Sequence, residues 1–449
     1  MHPVPTPDGP AQDRPRPPVA PVRHRGAVTA AAIGNFIEWY DFVLYGYFAT
    51  IIAHAYFPSG DEAAALLLTF AVFGVSFFVR PAGGVLFGHV GDRHGRRLAL
   101  SLIIILISLS TALIALVPSY ETIGIAAPLL ILLLRCLQGL SAGGEWTGAA
   151  SYVVEHAPPG RRAFYGSWQT VTIVLGMMVA ALTSLILGAV LSAPDLDSWG
   201  WRLPFLLSVP LGLAGLWLRL RLSESPEFSE VVSADRVERA PLRATLRADR
   251  RSILLCAALV CSPTMCTYVL LVYGPTFLID EMDMSGSRAR AAGFTAMAVL
   301  AVLIVPLARL CDRVGRRPFL IGGAAWVLLA AVPGFYLLHS GNLAVVALGL
   351  VVIVVGEALM LAPQPAVFSE LFPTSRRYSG LSLGYNLGVM IFGGAGPFAA
   401  AALIDATGSA YAPAMYLCAG ALISLIAALR TPETLRASLR GGPGTEDAA

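Results

Sequence analysis

The chain has no lysine; apart from seven histidines, every basic side chain is arginine. This reads as a mark of GC-rich coding rather than of function. Charge of either sign is scarce. Only 13% of the 449 residues are charged, about half of what the surface of a water-soluble domain carries. The net charge of +3 offers no face for nucleic acid. Cysteine is sparse as well. Cys136, Cys256, Cys261, Cys266, Cys311 and Cys418 fall in or beside apolar runs without C-x-x-C spacing, so neither a disulfide framework nor a metal site is expected. There is no Walker loop, so transport driven by ATP is not expected. No nucleophile–base pair points to an enzyme or a cofactor. Residues 1–26 are Pro-rich and polar and lack an apolar core. A disordered tail is expected there, and a cleavable signal peptide is not.

What the chain does have is apolar length. Hydrophobic residues are 56% of the sequence and the mean hydropathy is +0.70. Runs of about 20 residues, the length of a bilayer-crossing helix, recur throughout. Hydropathy and breakers predict an all-α membrane protein with twelve spans, near 27–53, 63–89, 98–117, 124–154, 162–191, 203–221, 252–279, 289–311, 318–338, 342–369, 377–404 and 409–430. The polar stretch 223–251 reads as a cytoplasmic linker between six-helix bundles over 27–222 and 252–430, and 431–449 reads as a second tail.

Arginine placement tests this count, because cytoplasmic loops of membrane proteins collect positive charge. With both termini inside, the inner segments hold Arg23, Arg25, Arg93, Arg96, Arg97, Arg161, Arg162, Arg219, Arg221, Arg313, Arg316, Arg317, Arg376, Arg377 and Arg430. The outer loops hold mostly acids, among them Asp61, Glu62, Glu121, Asp195, Asp280 and Asp405, with Arg288 and Arg290 as exceptions.

The halves repeat. Gly91-Asp92-Arg93-His94-Gly95-Arg96-Arg97 recurs as Cys311-Asp312-Arg313-Val314-Gly315-Arg316-Arg317, 220 residues later. Glu155 with Arg161-Arg162 recurs 215 residues later as Glu370 with Arg376-Arg377, and Ser223-Glu224 finds an echo at Thr431-Pro432-Glu433. These landmarks indicate duplication of a six-helix unit, and paired membrane halves usually hold a substrate between them near the midplane. The repeated loop is expected to act as a cytoplasmic gate of Asp92, Arg93, Gly95, Arg96, Arg97 and Glu155 with Asp312, Arg313, Gly315, Arg316 and Arg317. The glycine permits a tight turn, and the aspartate can accept N–H groups at a neighbouring helix start. The plainer alternative is a topology signal alone.

Polar residues inside the spans locate the chemistry. In the first, Gly34, Glu38, Asp41 and Tyr45 share one helix face. Two acids inside a membrane helix are costly and mark a pathway or relay, which suits reversible proton binding; pairing with an arginine is the structural alternative. Arg80 in the second span and Arg135, Gln138 and Glu145 in the fourth are also intramembrane. Glu145 reads equally as a proton site or as the partner of an arginine. Asn35, Tyr45, Arg80, Arg135 and Gln138 are candidate substrate contacts. The second half adds Glu357 and Gln364 on one face, and Tyr268, Tyr273, Tyr385 and Asn386, which could as well be interface residues.

These motifs resemble the major facilitator superfamily, and within it the metabolite:proton symporters. G-N-F-x-E-W-Y-D-F-x-L-Y-G at 34–46 is similar to that family's first-helix signature, and R-P-x-G-G-x-x-F-G-x-x-G-D-R-x-G-R-R at 80–97 to its second-helix and loop signature. R-x-x-Q-G-x-x-x-G-G-E at 135–145, E-x-x-P-x-x-R-R at 155–162 and W-G-W-R-x-P-F at 199–205 also fit. The resemblance spans about 27–432. It implies two bundles related by pseudo-two-fold symmetry that rock between inward and outward access, with proton-coupled uptake.

Stretches such as Gly143-Gly144-Glu145-Trp146-Thr147-Gly148 and Phe372-Pro373-Thr374-Ser375-Arg376-Arg377 resemble proline/betaine transporters, whereas Leu68-Thr69-Phe70-Ala71-Val72-Phe73-Gly74 resembles the citrate branch. The tail lacks the heptads of a coiled coil. A proline- or betaine-like solute is therefore the leading expectation. Di- and tricarboxylates such as α-ketoglutarate and citrate, or other organic acids, are the alternative; a drug efflux pump is a further one, and a transport-dead sensor is more distant. The expected partners are that solute, a proton and membrane lipid. The chain is expected to work as a monomer in the cytoplasmic membrane.

Overall fold

The computed structural model describes residues 24–57, 62–221, 241–394 and 396–437, and besides these 224–225, 228–229, 232 and 439. Residues 1–23 of the expected tail, the loop acid Asp61, residues 233–240 of the linker and residues 440–449 lie outside the described residues.

The apolar runs fold as helices, which satisfy every backbone donor and acceptor within one segment, as a bilayer requires. The first half comprises α1 (His24–Tyr47, continued by Ala49–Tyr56), α2 (Glu62–His94), α3 (Arg96–Leu116), α4 (Ala126–His156), α5 (Arg162–Val190) and α6 (Ser208–Leu220). The second comprises α7 (Arg250–Cys266), α8 (Gly286–Val314), α9 (Arg317–Leu338), α10 (Leu343–Leu361, continued by Gln364–Glu370), α11 (Arg377–Phe392, then Gly396–Thr407) and α12 (Ala412–Arg430). Among the described residues, eleven helices are long and apolar enough to cross a membrane. Helix α1 is not one of them, because Asn35, Glu38 and Asp41 interrupt its apolar run.

Three details differ from the sequence expectation. The run 377–404 is not one helix, because it breaks after Phe392 at Gly393 and Gly394. Helix α7 ends in a π-helical turn over Thr267–Val272, four residues beyond Pro263, whose ring cannot join the regular hydrogen-bond ladder. The stretch between the halves contains a short helix, Pro241–Ala248.

Pairing follows a two-fold pattern. Helix α1 packs on α5 as α7 packs on α11, and α2 on α4 as α8 on α10. Across the halves α2 meets α11, and α5 meets α8. Exchanging the halves converts one of these contacts into the other. Small residues set the closest approach. A methyl group added at Gly139 or Gly143 of α4 would collide with the backbone carbonyls of Ser76 and Arg80 on α2.

Candidate functional site

The polar face of α1 is buried against charges from its neighbours. Arg80 of α2 donates to Glu38 at 2.8 Å, with both side chains at most 2% exposed. Its guanidinium also lies over the rings of Phe42 and Phe77, at 4.9 and 5.2 Å. One turn on, Asp41 accepts a hydrogen bond from Thr111. Thr111 accepts from Gln138 at 2.7 Å, and Gln138 accepts from Arg135 at 2.7 Å. The Arg135 guanidinium sits 3.6 Å above the Tyr45 ring. Each buried charge is thus met by a countercharge, a hydrogen bond or an aromatic face. The second oxygens of Glu38 and Asp41 are buried without a hydrogen-bond partner among the described residues.

A small cavity of about 40 Å³ lies beside this network, between the halves. Trp39 of α1, Trp146 of α4, Tyr268 in the π turn and Tyr385 of α11 form its aromatic walls, and Thr170, Thr264 and Gln364 add polar groups. Trp146 and Tyr385 stack across the interface at 4.1 Å and 3°. Tyr268 packs on Trp39 at 5.9 Å and on Phe77 at 5.3 Å, so one ring separates it from Arg80. At the start of the π turn, Thr267 donates to the buried Glu357, whose other oxygen has no hydrogen-bond partner among the described residues. The volume would hold a few waters at most.

At the arginine-rich end the halves interlock. Asp92, at the end of α2, accepts the backbone N–H groups of Tyr378 and Ser379 at the start of α11, at 3.2 and 2.8 Å. Asp312, at the end of α8, does the same with Ala163 and Phe164 at the start of α5, at 3.1 and 2.8 Å. An anion at a helix start is doubly favoured, by free N–H donors and by the helix dipole. Glu155 receives Arg96 at 3.3 Å and Arg377 at 2.6 Å. Glu370 receives Arg316 and Arg162, each at 3.4 Å. Gly95 and Gly315 turn the chain at φ of 105° and 119°, a region that favours glycine. Just beyond these turns, Glu224 and Glu433 cap the N–H groups of Arg96–Arg97 and Arg316–Arg317.

The model of the sugar (and other) transporter family matches residues 27–242 and again residues 237–441. The chain belongs to this family of the major facilitator superfamily. It is a multi-pass membrane transporter and not an enzyme. It is 37% identical over 435 residues to the glycine betaine/proline/ectoine/pipecolic acid transporter OusA of Dickeya dadantii, covering 95% of this chain and 87% of that protein. It is 34% identical to the proline/betaine transporter of Escherichia coli K12, with 94% and 86% covered. It is 33% identical to the ectoine/proline transporter ProP of Corynebacterium glutamicum, with 94% and 87% covered. Among solved structures, the proton:xylose symporter XylE bound to 6-bromo-6-deoxy-D-glucose matches with a TM-score of 0.77 at 18% identity, covering 92% of this chain and 96% of that one.

In this transporter, Tyr268, Gln364 and Tyr385 line the cavity, Glu357 lies behind the lining Thr267, and the Glu38–Arg80 pair lies behind Tyr268 and Phe77. Asp41, Tyr45, Arg135 and Gln138 form the neighbouring network inside the first half, and Asn35 is buried on α1. Tyr273 lies apart, in a small apolar pocket with Phe277. Asn386 donates to the Gly143 carbonyl and joins α11 to α4 without lining the cavity. At the interlocked end, Arg93 and Arg313 are exposed and make no ion pair among the described residues.

Three features escaped the sequence reading. Arg219, counted there as a surface charge, is buried and holds Glu145 through both terminal nitrogens. Trp39 and Trp146 were embedded in motifs already quoted, yet as tryptophans in apolar helices they carried no distinct signal. The acceptors for Arg162 and Arg377 come in part from the carbonyls of Ala437 and Leu439, in a segment with no motif.

Proposed function

We propose that this transporter takes up a small zwitterionic solute of the proline or betaine type together with a proton, by alternating access. The observation that carries the reading is the Glu38–Arg80 pair set behind aromatic cavity walls. While Glu38 is ionised it occupies Arg80. A proton on Glu38 neutralises that carboxylate and frees the guanidinium for the carboxylate of a solute. The cationic nitrogen then faces Trp39, Trp146, Tyr268 and Tyr385, whose ring faces attract a cation, and a quaternary ammonium above all. Proton and solute are favoured together, which is the requirement for symport. Asp41, joined to Arg135 through Thr111 and Gln138, is the second acid of this relay.

Glycine betaine, proline, ectoine and pipecolic acid, the solutes in the relatives' names, all combine a carboxylate with a cationic nitrogen centre. A di- or tricarboxylate would call for a second cation at the cavity, and among the described residues its second-half wall carries none.

The arginine-rich end faces the cytoplasm, with both termini there, because inner loops collect arginine. The paired aspartate and glutamate locks hold this end closed, and inward opening requires both halves to release them. The cavity must widen from its present size to admit a solute, which fits an occluded arrangement. Monomeric action is part of the proposal, since each monomer contains both halves.

The test is a competition uptake panel in proteoliposomes with proline, glycine betaine, citrate, α-ketoglutarate and shikimate, at two pH values. Competition by the two zwitterions, with uptake rising under an inward proton gradient and collapsing with a protonophore, is expected. Competition by the carboxylic acids alone, or uptake driven only by sodium, would overturn the reading.

A further inference from the structure

The outer wall of the second half carries a feature that the transport cycle does not use. Between α7 and α12 runs a groove walled by Leu254, Ala258, Ile423 and Ile426. Leu254 is 65% exposed, and Ile423 and Ile426 are 39% and 43% exposed. At its arginine-rich end the groove meets Arg251 and Arg430, and an adjoining depression brings in Arg317.

The three guanidiniums gather around the last turn of α12. Arg251 donates to the carbonyl of Arg430 at 3.4 Å, and Arg317 to that of Leu429 at 2.7 Å. Each keeps further donors, since a guanidinium carries five. Arg430 makes no ion pair among the described residues. Its counterpart in the first half behaves differently, as Arg221 covers the ring of Trp217 at 3.8 Å. The acid beside this rim is Glu433. Its oxygens accept the N–H groups of Arg316, Arg317, Thr434 and Leu435, and among the described residues it makes no ion pair with Arg251, Arg317 or Arg430.

We propose that this groove binds one anionic glycerophospholipid, with an acyl chain along α7 and α12 and its phosphate held by Arg251, Arg317 and Arg430. An apolar channel ending in fixed positive charge is complementary to such a lipid along its length. Arginine suits the phosphate because its fork can donate two parallel hydrogen bonds. A zwitterionic lipid fills the channel equally well, but its headgroup brings no net charge to the rim. The proposal is independent of which solute is carried.

Native mass spectrometry of the full chain, released from detergent containing equal phosphatidylglycerol and phosphatidylcholine, tests it. Preferential retention of phosphatidylglycerol is expected. The Arg251→Gln and Arg430→Gln variants should each lower that retention about fivefold, the effect of one arginine near an anionic surface. Both residues are exposed, so both variants are expected to fold. Ala258→Trp, which fills the channel and leaves the charges in place, should lower retention of either lipid at this site. Equal retention of the two lipids, or retention indifferent to both arginine variants, overturns the proposal. Displacement of the lipid by millimolar inorganic phosphate would also overturn it, because it would mark a plain anion site that does not use the groove.

Discussion

One oxygen of Glu155, on the first half, receives Arg377 of the second half at 2.6 Å and Arg96 of its own half at 3.3 Å. All three side chains are fully buried or nearly so. Removing the carboxylate charge would take a shared countercharge from two buried guanidiniums, leaving Arg96 with Asp92 at 3.1 Å and Arg377 with the carbonyls of Ser369 and Leu439, which costs about 3 kcal/mol or more. Glu155→Gln should therefore weaken the closed arrangement of the arginine-rich end. Hydrogen exchange at the amides of Tyr378 and Ser379, which close onto Asp92, is the direct measurement. It should accelerate by about a hundredfold, the equivalent of that energy; protection equal to the parent protein would show that the bridge does not hold the gate.

The aspartate contacts make a prediction of their own. Asp92→Ala should slow transport without changing which solutes compete, because it touches the gate and not the cavity. Asp312→Ala should act in the same way, since its contacts with α5 mirror those of Asp92 with α11. Initial-rate uptake with a panel of competitors reads both properties. A changed order of competitors in either variant would contradict a gating role.

The contrast between these motifs and the cavity explains what was legible in the sequence. Twelve apolar runs, and repeats such as Asp92 with Asp312, follow from local composition and spacing, so the helices and the duplication could be read directly. The charges of α1 and α2 also stood out, because an acid or arginine amid apolar residues is rare. Partners were another matter. Arg96 and Arg377 look like any inner-surface arginines, and burial in an ion-pair network depends on how two distant halves meet. Arg219 was misjudged for the same reason, since it is the next-to-last residue of α6 and reaches Glu145 of α4 only because α6 packs on α3 and α1. The cavity drew most heavily on residues that tertiary structure selects, such as Trp39 and Trp146.

Glu38 is where proton and solute are expected to meet. Glu38→Gln keeps the size of the side chain and the hydrogen bond to Arg80 but removes the titrating group. The variant should lose accumulation driven by a proton gradient while still exchanging solute across the membrane in counterflow. Loss of both would point to a failure of folding or opening, which surface expression and solute protection against heat would separate. Full gradient-driven accumulation by the variant would remove Glu38 from the coupling scheme.

The aromatic wall makes the sharpest claim about specificity. Trp146 stacks on Tyr385, and the two rings come from opposite halves, so the surface they present exists only while the halves are closed together. A quaternary ammonium depends on such faces more than a secondary ammonium does, because it has no N–H to donate and must be held by cation–π attraction and packing. That attraction amounts to about 2 kcal/mol at a desolvated site, or roughly thirtyfold in affinity. Trp146→Ala should therefore raise KM for glycine betaine by about that factor and for proline by distinctly less, with Trp146→Phe in between. The ratio of the two KM values is the informative quantity, since a general loosening of the interface would raise both together and leave it unchanged.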